Sequence, residues 1–347
     1  MLFFLRKVAK HPRVMLVDKP NERKFHQGSV PLVGGISICL SVLYFLYNNH
    51  HILPHSMLYS LSIIVLVTVG ALDDKFDISF KLRLIIQAAL AVVVMLYANF
   101  QLVNLGDFLG FGSVHLPLPL GGVITVFAVL GAINAFNMVD GIDGLLGGLA
   151  SVTFGGLGIL FFINCSINLA YFCLVFIVIM LPYILLNLGL LGRRRKVFMG
   201  DAGSMLIGFT VIFLLIMATQ PTTSKEILRP VTALWLIAVP LMDMVAIMFR
   251  RLRRGHSPFK PDRGHLHHIF QRIGYNSGQT LLIICGIAVT FAAIGIFGEI
   301  FKVPEPIMFY LFIAFFLLYT LVLNYIWRVV RRIRSLKRLR RYRKNIH

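Results

Sequence analysis

The sequence predicts an all-α polytopic integral membrane protein, and three observations support this fold class. Of the 347 residues, 58% are hydrophobic and only 14% are charged, with a mean hydropathy of +0.82. The apolar residues form ten long runs, several of them near the ~20 residues that a helix needs to cross a bilayer. The four cysteines are isolated in or beside these runs and indicate neither a disulfide framework nor a zinc site. A soluble protein with one large core is excluded.

Taken in order, the chain begins with a truncated first helix, because residues 1–5 are apolar but two basic residues follow at once. Ten complete transmembrane helices are predicted after it, at residues 31–49, 56–72, 83–99, 119–136, 145–163, 168–191, 204–219, 230–249, 279–298 and 306–327. The longest loop, residues 250–277, and a basic tail, residues 328–347, lie outside these spans. We expect a single transmembrane domain over residues 1–347.

The basic residues predict the orientation of the spans. Alternate connections hold 31 of the 34 Lys and Arg residues, in segments 6–29, 73–83, 192–202, 250–277 and 328–347. The positive-inside rule therefore places these segments in the cytoplasm. Most of the acids fall on the same side, as an interfacial active site requires, whereas a transporter would more often hold its ionisable groups at the membrane midplane.

The tail is the most basic part of the chain, with ten Lys and Arg residues in twenty. Nucleic-acid binding is one interpretation of such a run. Because the tail follows a span on the predicted cytoplasmic side, we expect it to bind anionic membrane lipids and not nucleic acid. The sequence does not indicate an oligomeric state.

The stretch from residue 134 to residue 144 concentrates polar groups where two spans meet. Asn134, Asn137 and Asp140 recur at three-residue steps, which places them near one face of a helix. Asp143 adds a second carboxylate, and Gly141 allows a close approach to a ligand. A carboxylate costs roughly 3 kcal/mol at mid-bilayer and less near the interface. We therefore favour a functional site over a simple hydrophilic turn.

Two other predicted cytoplasmic segments contain carboxylates that are candidates for the site. Asp73 and Asp74 are adjacent, and Asp77 and Arg83 follow them. Adjacent carboxylates repel unless a cation or a proton lies between them, which indicates a metal or a general base, with a solvated loop as the alternative. Further along, glycines flank Asp201 at the start of a span, where backbone amides and a carboxylate can meet a phosphate–metal unit.

The long loop combines arginines with histidines. Arg263 is followed by His265, His267 and His268. Arginine forks bind phosphate and imidazoles donate hydrogen bonds, so the loop suits a dianionic, sugar-bearing ligand. A zinc site is an alternative for the histidines, although it requires three or four ligands from separated positions. A solvent-exposed run is the other alternative.

Together, these groups are typical of metal-assisted phosphoryl transfer between two anionic substrates. Two unit negative charges about 4 Å apart repel by roughly 4 kcal/mol at an effective dielectric constant of 20. Joining two phosphates therefore requires a divalent cation and cationic side chains. The sequence supplies carboxylates and amides to bind the cation, and arginines as the cationic side chains.

The motifs resemble those of a known family. The matching residues are Asp73-Asp74-x-x-Asp77, Asn134-x-x-Asn137-x-x-Asp140-Gly141-x-Asp143-Gly144, Gly200-Asp201-x-Gly203-Ser204 and His265-x-His267-His268, preceded by Asp18-Lys19-Pro20, His26 and Pro31-x-x-Gly34-Gly35. In content and order, from about residue 16 onwards, they are similar to the polyprenyl-phosphate N-acetylhexosamine-1-phosphate transferases.

The resemblance implies an activity: GlcNAc-1-phosphate passes from UDP-GlcNAc to undecaprenyl phosphate and UMP is released, with Mg²⁺ or alternatively Mn²⁺ as the cofactor. It implies a bacterial inner membrane and the first membrane step of O-antigen and enterobacterial common antigen synthesis. Asp201 and Asn137 would hold the metal, and the acids at 73, 74, 140 and 143 would be catalytic, with Asp73 and Asp74 handling the lipid phosphate. The expected substrate-binding residues are Asp77, Arg83, Asn134, Gly141, Arg263, His265, His267 and His268. Whether an aspartate acts as a base or as a covalent nucleophile is left open.

Two rival functions remain at this stage. A family member that transfers phospho-N-acetylmuramoyl-pentapeptide is the nearest one, but that branch tends to have Lys where Asp77 stands and a run of three histidines. A lipid or sugar transporter is the other. It predicts midplane ionisable residues and repeat symmetry, and neither is apparent in the sequence.

Overall fold

A computed structural model describes residues 1–11, 15–18, 29–220, 226–257 and 264–344. Its helices are α1 (Leu2–Ala9), α2 (Gly34–Asn48), α3 (Ser56–Phe76), α4 (Phe80–Ala98), α5 (Leu118–Val139), α6 (Leu145–Ile163), α7 (Ile167–Asn187), α8 (Gly200–Thr219), α9 (Pro230–Leu236), α10 (Ala238–Arg253), α11 (Leu266–Ile273), α12 (Ser277–Ile300) and α13 (Glu305–Lys344), with a 3₁₀ turn at Arg193–Arg195. Two short antiparallel strands, β1 (Val17–Asp18) and β2 (Val30–Pro31), lie near the amino terminus. The described residues are mostly helical, in agreement with the all-α prediction.

The helices are those of a multi-pass membrane protein. Within the described ranges, eight of them are long and apolar enough to cross a membrane: α3 to α8, α12 and the first half of α13. The pair α9 and α10 forms a ninth candidate. Helix α2 has 15 residues, fewer than the ~20 residues of a full span, so the count of ten complete spans stays a prediction.

The predicted span at residues 230–249 is a broken helix. Helices α9 and α10 meet at Ile237 with a bend of 83°. The carbonyl of Leu236, released by the break, accepts the Thr153 hydroxyl at 3.0 Å, because a backbone group inside a membrane must find a partner within the protein. The break also places Pro240 in the first turn of α10, where a helix tolerates the missing N–H of proline.

Helix α8 is the centre of the bundle and packs against α2, α3 and α5. Eighteen of its 20 residues are buried, and Asp201 is one of the two that are not. Small residues permit this packing: a Cβ on Gly35 would collide with the backbone of Gly203, and a Cβ on Gly70 would collide with the backbone of Ala202. The first turn of α8 is therefore held between α2 and α3.

The amino-terminal segment is joined to the chain just before α8. Leu32 forms a parallel bridge with Phe198, and the Gly34 and Gly35 amides donate to the carbonyls of Phe198 and Met199 at 3.0 and 3.1 Å. The predicted truncated first helix is α1, which extends to Ala9. Ala9 belongs to a small apolar cluster that also contains Leu32 and Val197. These contacts brace the segment that leads to Asp201.

The last helix is longer than the span predicted at residues 306–327. Helix α13 has 40 residues and continues through the basic tail to Lys344. At 1.5 Å per residue, it is about 60 Å long, twice the ~30 Å of a bilayer core. The tail is therefore helical as far as Lys344, and a helix of this length exceeds the thickness of a bilayer core.

Candidate active site

The amino terminus of α8 is capped by a carboxylate from another helix. Asp74, near the end of α3, accepts the backbone N–H groups of Asp201 at 2.9 Å and of Ala202 at 3.4 Å. The first N–H groups of a helix have no partner within it and carry partial positive charge, so a carboxylate stabilises them. Gly200, with φ of +74°, has no side chain to collide with Asp74. The sequence predicted that backbone amides here would donate hydrogen bonds to a phosphate. In the structure, the amides of Asp201 and Ala202 donate to Asp74.

The carboxylate of Asp201 joins three of the predicted segments. Its Oδ1 accepts Asn137 Nδ2 at 2.8 Å, and its Oδ2 accepts Arg83 Nη1 at 2.8 Å. Asn137 Nδ2 also donates to the Ser204 hydroxyl at 2.8 Å. Residues from α4, α5 and α8 therefore meet on one side chain, which is 35% exposed.

The adjacent acids Asp73 and Asp74 have different partners. Asp73 is ion-paired with Arg83, through the same Nη1 that contacts Asp201. Its side chain is only 4% exposed, so it depends on that guanidinium for its charge balance. The predicted repulsion between the two acids is thus relieved by an arginine on one side and by a helix terminus on the other.

The loop after α5 is tied to the loop before α8 by two residues that sequence reasoning missed. Lys196 forms an ion pair with Asp143. Asn187, buried at the end of α7, accepts the Gly144 N–H at 2.6 Å and donates to the Val197 carbonyl at 2.9 Å. Asn187 interrupts the apolar run predicted as the span 168–191, and a polar residue within that run was the available signal.

A buried acid fixes the start of the histidine helix α11. Asp243 in α10 accepts His265 Nδ1–H at 2.9 Å, the Leu266 N–H at 3.1 Å and the Tyr319 hydroxyl at 2.7 Å. Three elements, α10, α11 and α13, therefore meet on one carboxylate. In the sequence, Asp243 is an isolated acid within the predicted span 230–249, and nothing there reveals these partners.

His267 lies directly against the loop after α5. Its side chain is 2% exposed, and a Cβ on Gly141 would collide with its imidazole ring. Burial, aided by the neighbouring His268 and His265, lowers the pKa of His267 from 6.5 to about 3, so the ring is neutral. Its Nε2 is buried without a hydrogen-bond partner in the described part of the chain, which leaves a polar atom available to a ligand.

The remaining predicted residues lie at varying distances from this centre. Asn134 is one turn deeper along α5 and donates to Gln87 at 3.1 Å and to the Leu130 carbonyl at 2.7 Å. Asp140 and Asp77 are exposed, and Asp77 ends α3 with φ of +52°. Arg263, like Lys19, Pro20 and His26, lies outside the described residues.

The donor set around Asp201 fits a magnesium ion completed by substrate. Mg²⁺ prefers one or two carboxylates together with phosphate oxygens and water over a cage of protein ligands. Asp201 supplies a carboxylate, and the carboxamide of Asn137 beside it would supply an oxygen atom after rotation, since its Nδ2 now donates to Asp201. Across the described ranges, no three His, Cys, Asp or Glu side chains are grouped as a metal site, which leaves the zinc alternative for the histidines without support there.

Comparisons with known proteins place this fold and site in a family. Residues 56–219, from α3 to α8, match glycosyl transferase family 4. Over nearly its whole length, the chain is similar to proteins named undecaprenyl-phosphate α-N-acetylglucosaminyl 1-phosphate transferase. The protein of Escherichia coli O157:H7 is 53% identical over 99% of this chain and 92% of the relative. The protein of Yersinia pestis is 53% identical over 100% of this chain and 94% of the relative, and that of Haemophilus influenzae is 48% identical over 93% and 90%. The protein is therefore a membrane-embedded glycosyl transferase. It belongs to the polyprenyl-phosphate N-acetylhexosamine-1-phosphate transferase family.

Proposed function

We propose that the protein transfers GlcNAc-1-phosphate from UDP-GlcNAc to undecaprenyl phosphate, producing undecaprenyl-diphosphate-GlcNAc and UMP. The convergence of Asn137, Arg83 and Asp74 on Asp201 is the observation that supports this function best. Similarity over nearly the full length to the enterobacterial transferases supports the same reaction. One phosphoanhydride replaces another, so the reaction needs no ATP.

Asp201 and Asn137 would hold Mg²⁺, or Mn²⁺ as an alternative. When bound, the cation would neutralise the oxygens of the diphosphate and make its phosphorus a better electrophile. Arg83 adds a full positive charge next to Asp201 Oδ2 and can bind a phosphate oxygen. Asp74 then acts on the reaction through the position of α8, because its carboxylate is bonded to the backbone there.

The lipid phosphate would attack the phosphorus that bears the sugar, and UMP would leave. Three of the four predicted catalytic acids already have partners. Asp73 is paired with Arg83, Asp74 accepts backbone N–H groups, and Asp143 is paired with Lys196. Asp140 is exposed beside them and is the acid best placed to act on the lipid phosphate. The His267 and His268 side of the site would receive the nucleotide-sugar, since a neutral imidazole can donate or accept a hydrogen bond.

The wider setting follows from the charge distribution. We propose that the whole chain is one domain with ten spans in a bacterial inner membrane, and that Asp201 faces the cytoplasm. The helical tail, with its ten basic residues, would bind anionic headgroups on that side. The lipid-linked product would begin the assembly of O-antigen and enterobacterial common antigen.

Turnover by the full-length protein in detergent or nanodiscs tests the reaction. With labelled UDP-GlcNAc and Mg²⁺, we expect UMP and a lipid-extractable product only when undecaprenyl phosphate is added. The Asp201→Asn variant should form neither. A parallel reaction with UDP-N-acetylmuramoyl-pentapeptide tests the rival branch, and preference for that donor, or UMP release without the lipid, would contradict the proposed function.

A further inference from the structure

Arg83 is bonded to the carboxylate of Asp201, the proposed metal ligand. Its Nη1 donates to Asp201 Oδ2 at 2.8 Å, and the same nitrogen contacts Asp73 Oδ2. On the other side of the carboxylate, Asn137 Nδ2 donates to Oδ1 at 2.8 Å. Both oxygens of the carboxylate therefore face N–H donors. Each oxygen keeps a second lone pair, so these donors do not exclude a cation from Asp201, but they compete with it for the negative charge of the carboxylate.

The two donors are not equivalent competitors. Asn137 is neutral, and rotation of its carboxamide would replace the N–H by an oxygen that can itself bind a cation. Arg83 is always charged, so it opposes a divalent cation through its charge as well as through its position. The guanidinium is thus the main obstacle to metal binding at Asp201.

Arg83 can leave Asp201 without leaving the site. Its second partner, Asp73, is buried with 4% of its side chain exposed, and Arg83 itself lies in the first turn of α4. A guanidinium has five N–H groups, so it can keep Asp73 as a pivot and turn others towards a phosphate. A diphosphate at the site offers such an acceptor, whereas a metal ion alone does not.

We propose that Arg83 is a built-in competitor of the divalent cation at Asp201, and that the diphosphate of the donor substrate removes this competition by drawing the guanidinium away. The proposal rests on the proposed function, because it assumes the metal at Asp201. The protein then binds the cation weakly by itself and tightly together with the nucleotide. Binding of the two is coupled, and the coupling is reciprocal: the cation tightens the nucleotide by the same factor.

Binding of Mn²⁺ alone tests this without turnover. Titrations of the purified full-length protein, followed by the electron paramagnetic resonance signal of free Mn²⁺, give its Kd with and without UDP. In Arg83→Gln, Mn²⁺ should bind about tenfold more tightly than in the unmodified protein when UDP is omitted. UDP should tighten Mn²⁺ about tenfold in the unmodified protein and much less in Arg83→Gln.

Lys196→Gln is the matched control. It removes one positive charge from the same site, but Lys196 is paired with Asp143 and not with Asp201. Equal tightening in both variants would attribute the effect to net charge and overturn the proposal, as would unchanged or weaker Mn²⁺ binding in Arg83→Gln. Asp201→Asn separates this failure from that of the proposed function. If Asp201→Asn keeps full Mn²⁺ binding with UDP present, the metal site itself is misplaced.

Discussion

The carboxylate of Asp243 accepts the Nδ1–H of His265 at 2.9 Å, and both side chains are buried. The second oxygen of Asp243 accepts the first amide of α11 and the Tyr319 hydroxyl. Since His267 lies two residues further along the same helix, the position of its imidazole against Gly141 depends on this bond. A broken membrane helix thereby sets the position of a predicted nucleotide-binding surface.

Replacing Asp243 with Asn should weaken UDP-GlcNAc binding by at least about tenfold, since hydrogen bonds to a charged group contribute about 1.5–3 kcal/mol. The oxygen of the new amide can accept hydrogen bonds on one side, but on the other side its NH₂ group would face a donor. Affinity for undecaprenyl phosphate should change less. Titration of each substrate measures the two effects, and Tyr319→Phe, which removes one donor and leaves His265 paired, should have the smaller effect. Unchanged affinity for both substrates would rule out the positioning role.

Gly141→Ala should reduce UDP-GlcNAc affinity about as much as His267→Ala, because the new methyl group would push the imidazole away. In the double variant the collision is absent, so the two effects should not add. Gly155→Ala is the matched control, since nothing lies within 4 Å of the position that its Cβ would take. Fully additive losses would show that the two residues act separately.

His267 should make the protein sensitive to acid. Its pKa in the fold is about 3, against an ordinary value of 6.5, so the unfolded chain binds a proton more readily. Its contribution to stability is complete above pH 6.5 and is lost as the pH falls towards 3, with about 2 kcal/mol lost at pH 5. Thermal unfolding of the solubilised protein should therefore show a shallower fall in Tm between pH 7 and pH 5 for His267→Gln. The exposed His51→Gln serves as the control, and parallel Tm curves would contradict the prediction.

Asp201→Asn should abolish turnover and the Mg²⁺-dependent part of UDP-GlcNAc binding, because a neutral amide is a poor ligand for a hard cation. If Asp74 acted only on the lipid phosphate, Asp74→Asn would leave that binding intact. The structure places Asp74 on the start of α8, and loss of a helix cap costs about 0.5–2 kcal/mol. We therefore expect Asp74→Asn to weaken Mg²⁺-dependent binding as well. Titrations of both variants with and without Mg²⁺ distinguish the two roles.

The chain contains its own reporter of orientation. Cys165 is exposed in the turn between α6 and α7, at the opposite end of α6 from Gly144. On intact spheroplasts, a membrane-impermeant maleimide should label Cys165 from outside. In a Cys165→Ser background, Lys75→Cys should label only after the membrane is opened. Labelling of Lys75→Cys on intact spheroplasts would reverse the proposed topology.

Much of the fold could be predicted from hydropathy, because all but one of the ten long apolar runs become single helices and the polar motifs lie at helix ends. The bend at Ile237 could not be predicted in this way. The carbonyl that it releases is satisfied by the Thr153 hydroxyl of α6, and this partner is in place only once the helices have packed. Nor could the length of α13 be predicted, because Lys and Arg are good helix formers but propensity alone is a weak signal without an apolar run.

The sequence predicts candidate residues for the site but not the hydrogen bonds and ion pairs between them. Asp73 and Asp74 are neighbours in sequence, and their repulsion suggested a shared cation. In the fold they point to different partners, an arginine and a helix terminus, and only tertiary structure decides which. Asn187 and Lys196 were missed for the same reason, since each acts by joining two loops that are distant in sequence.

The burial of α8 has a consequence for how the protein is made. Its neighbours α2, α3 and α5 all precede it in the chain, and they approach it through Gly35, Gly70 and the backbone of Ile133. Until α8 is synthesised, these surfaces can be covered only by lipid, which cannot match their close approach to a helix backbone. Closure of the bundle must therefore wait until α8 has been made, and the same event brings Asp201 to its partners on α4 and α5.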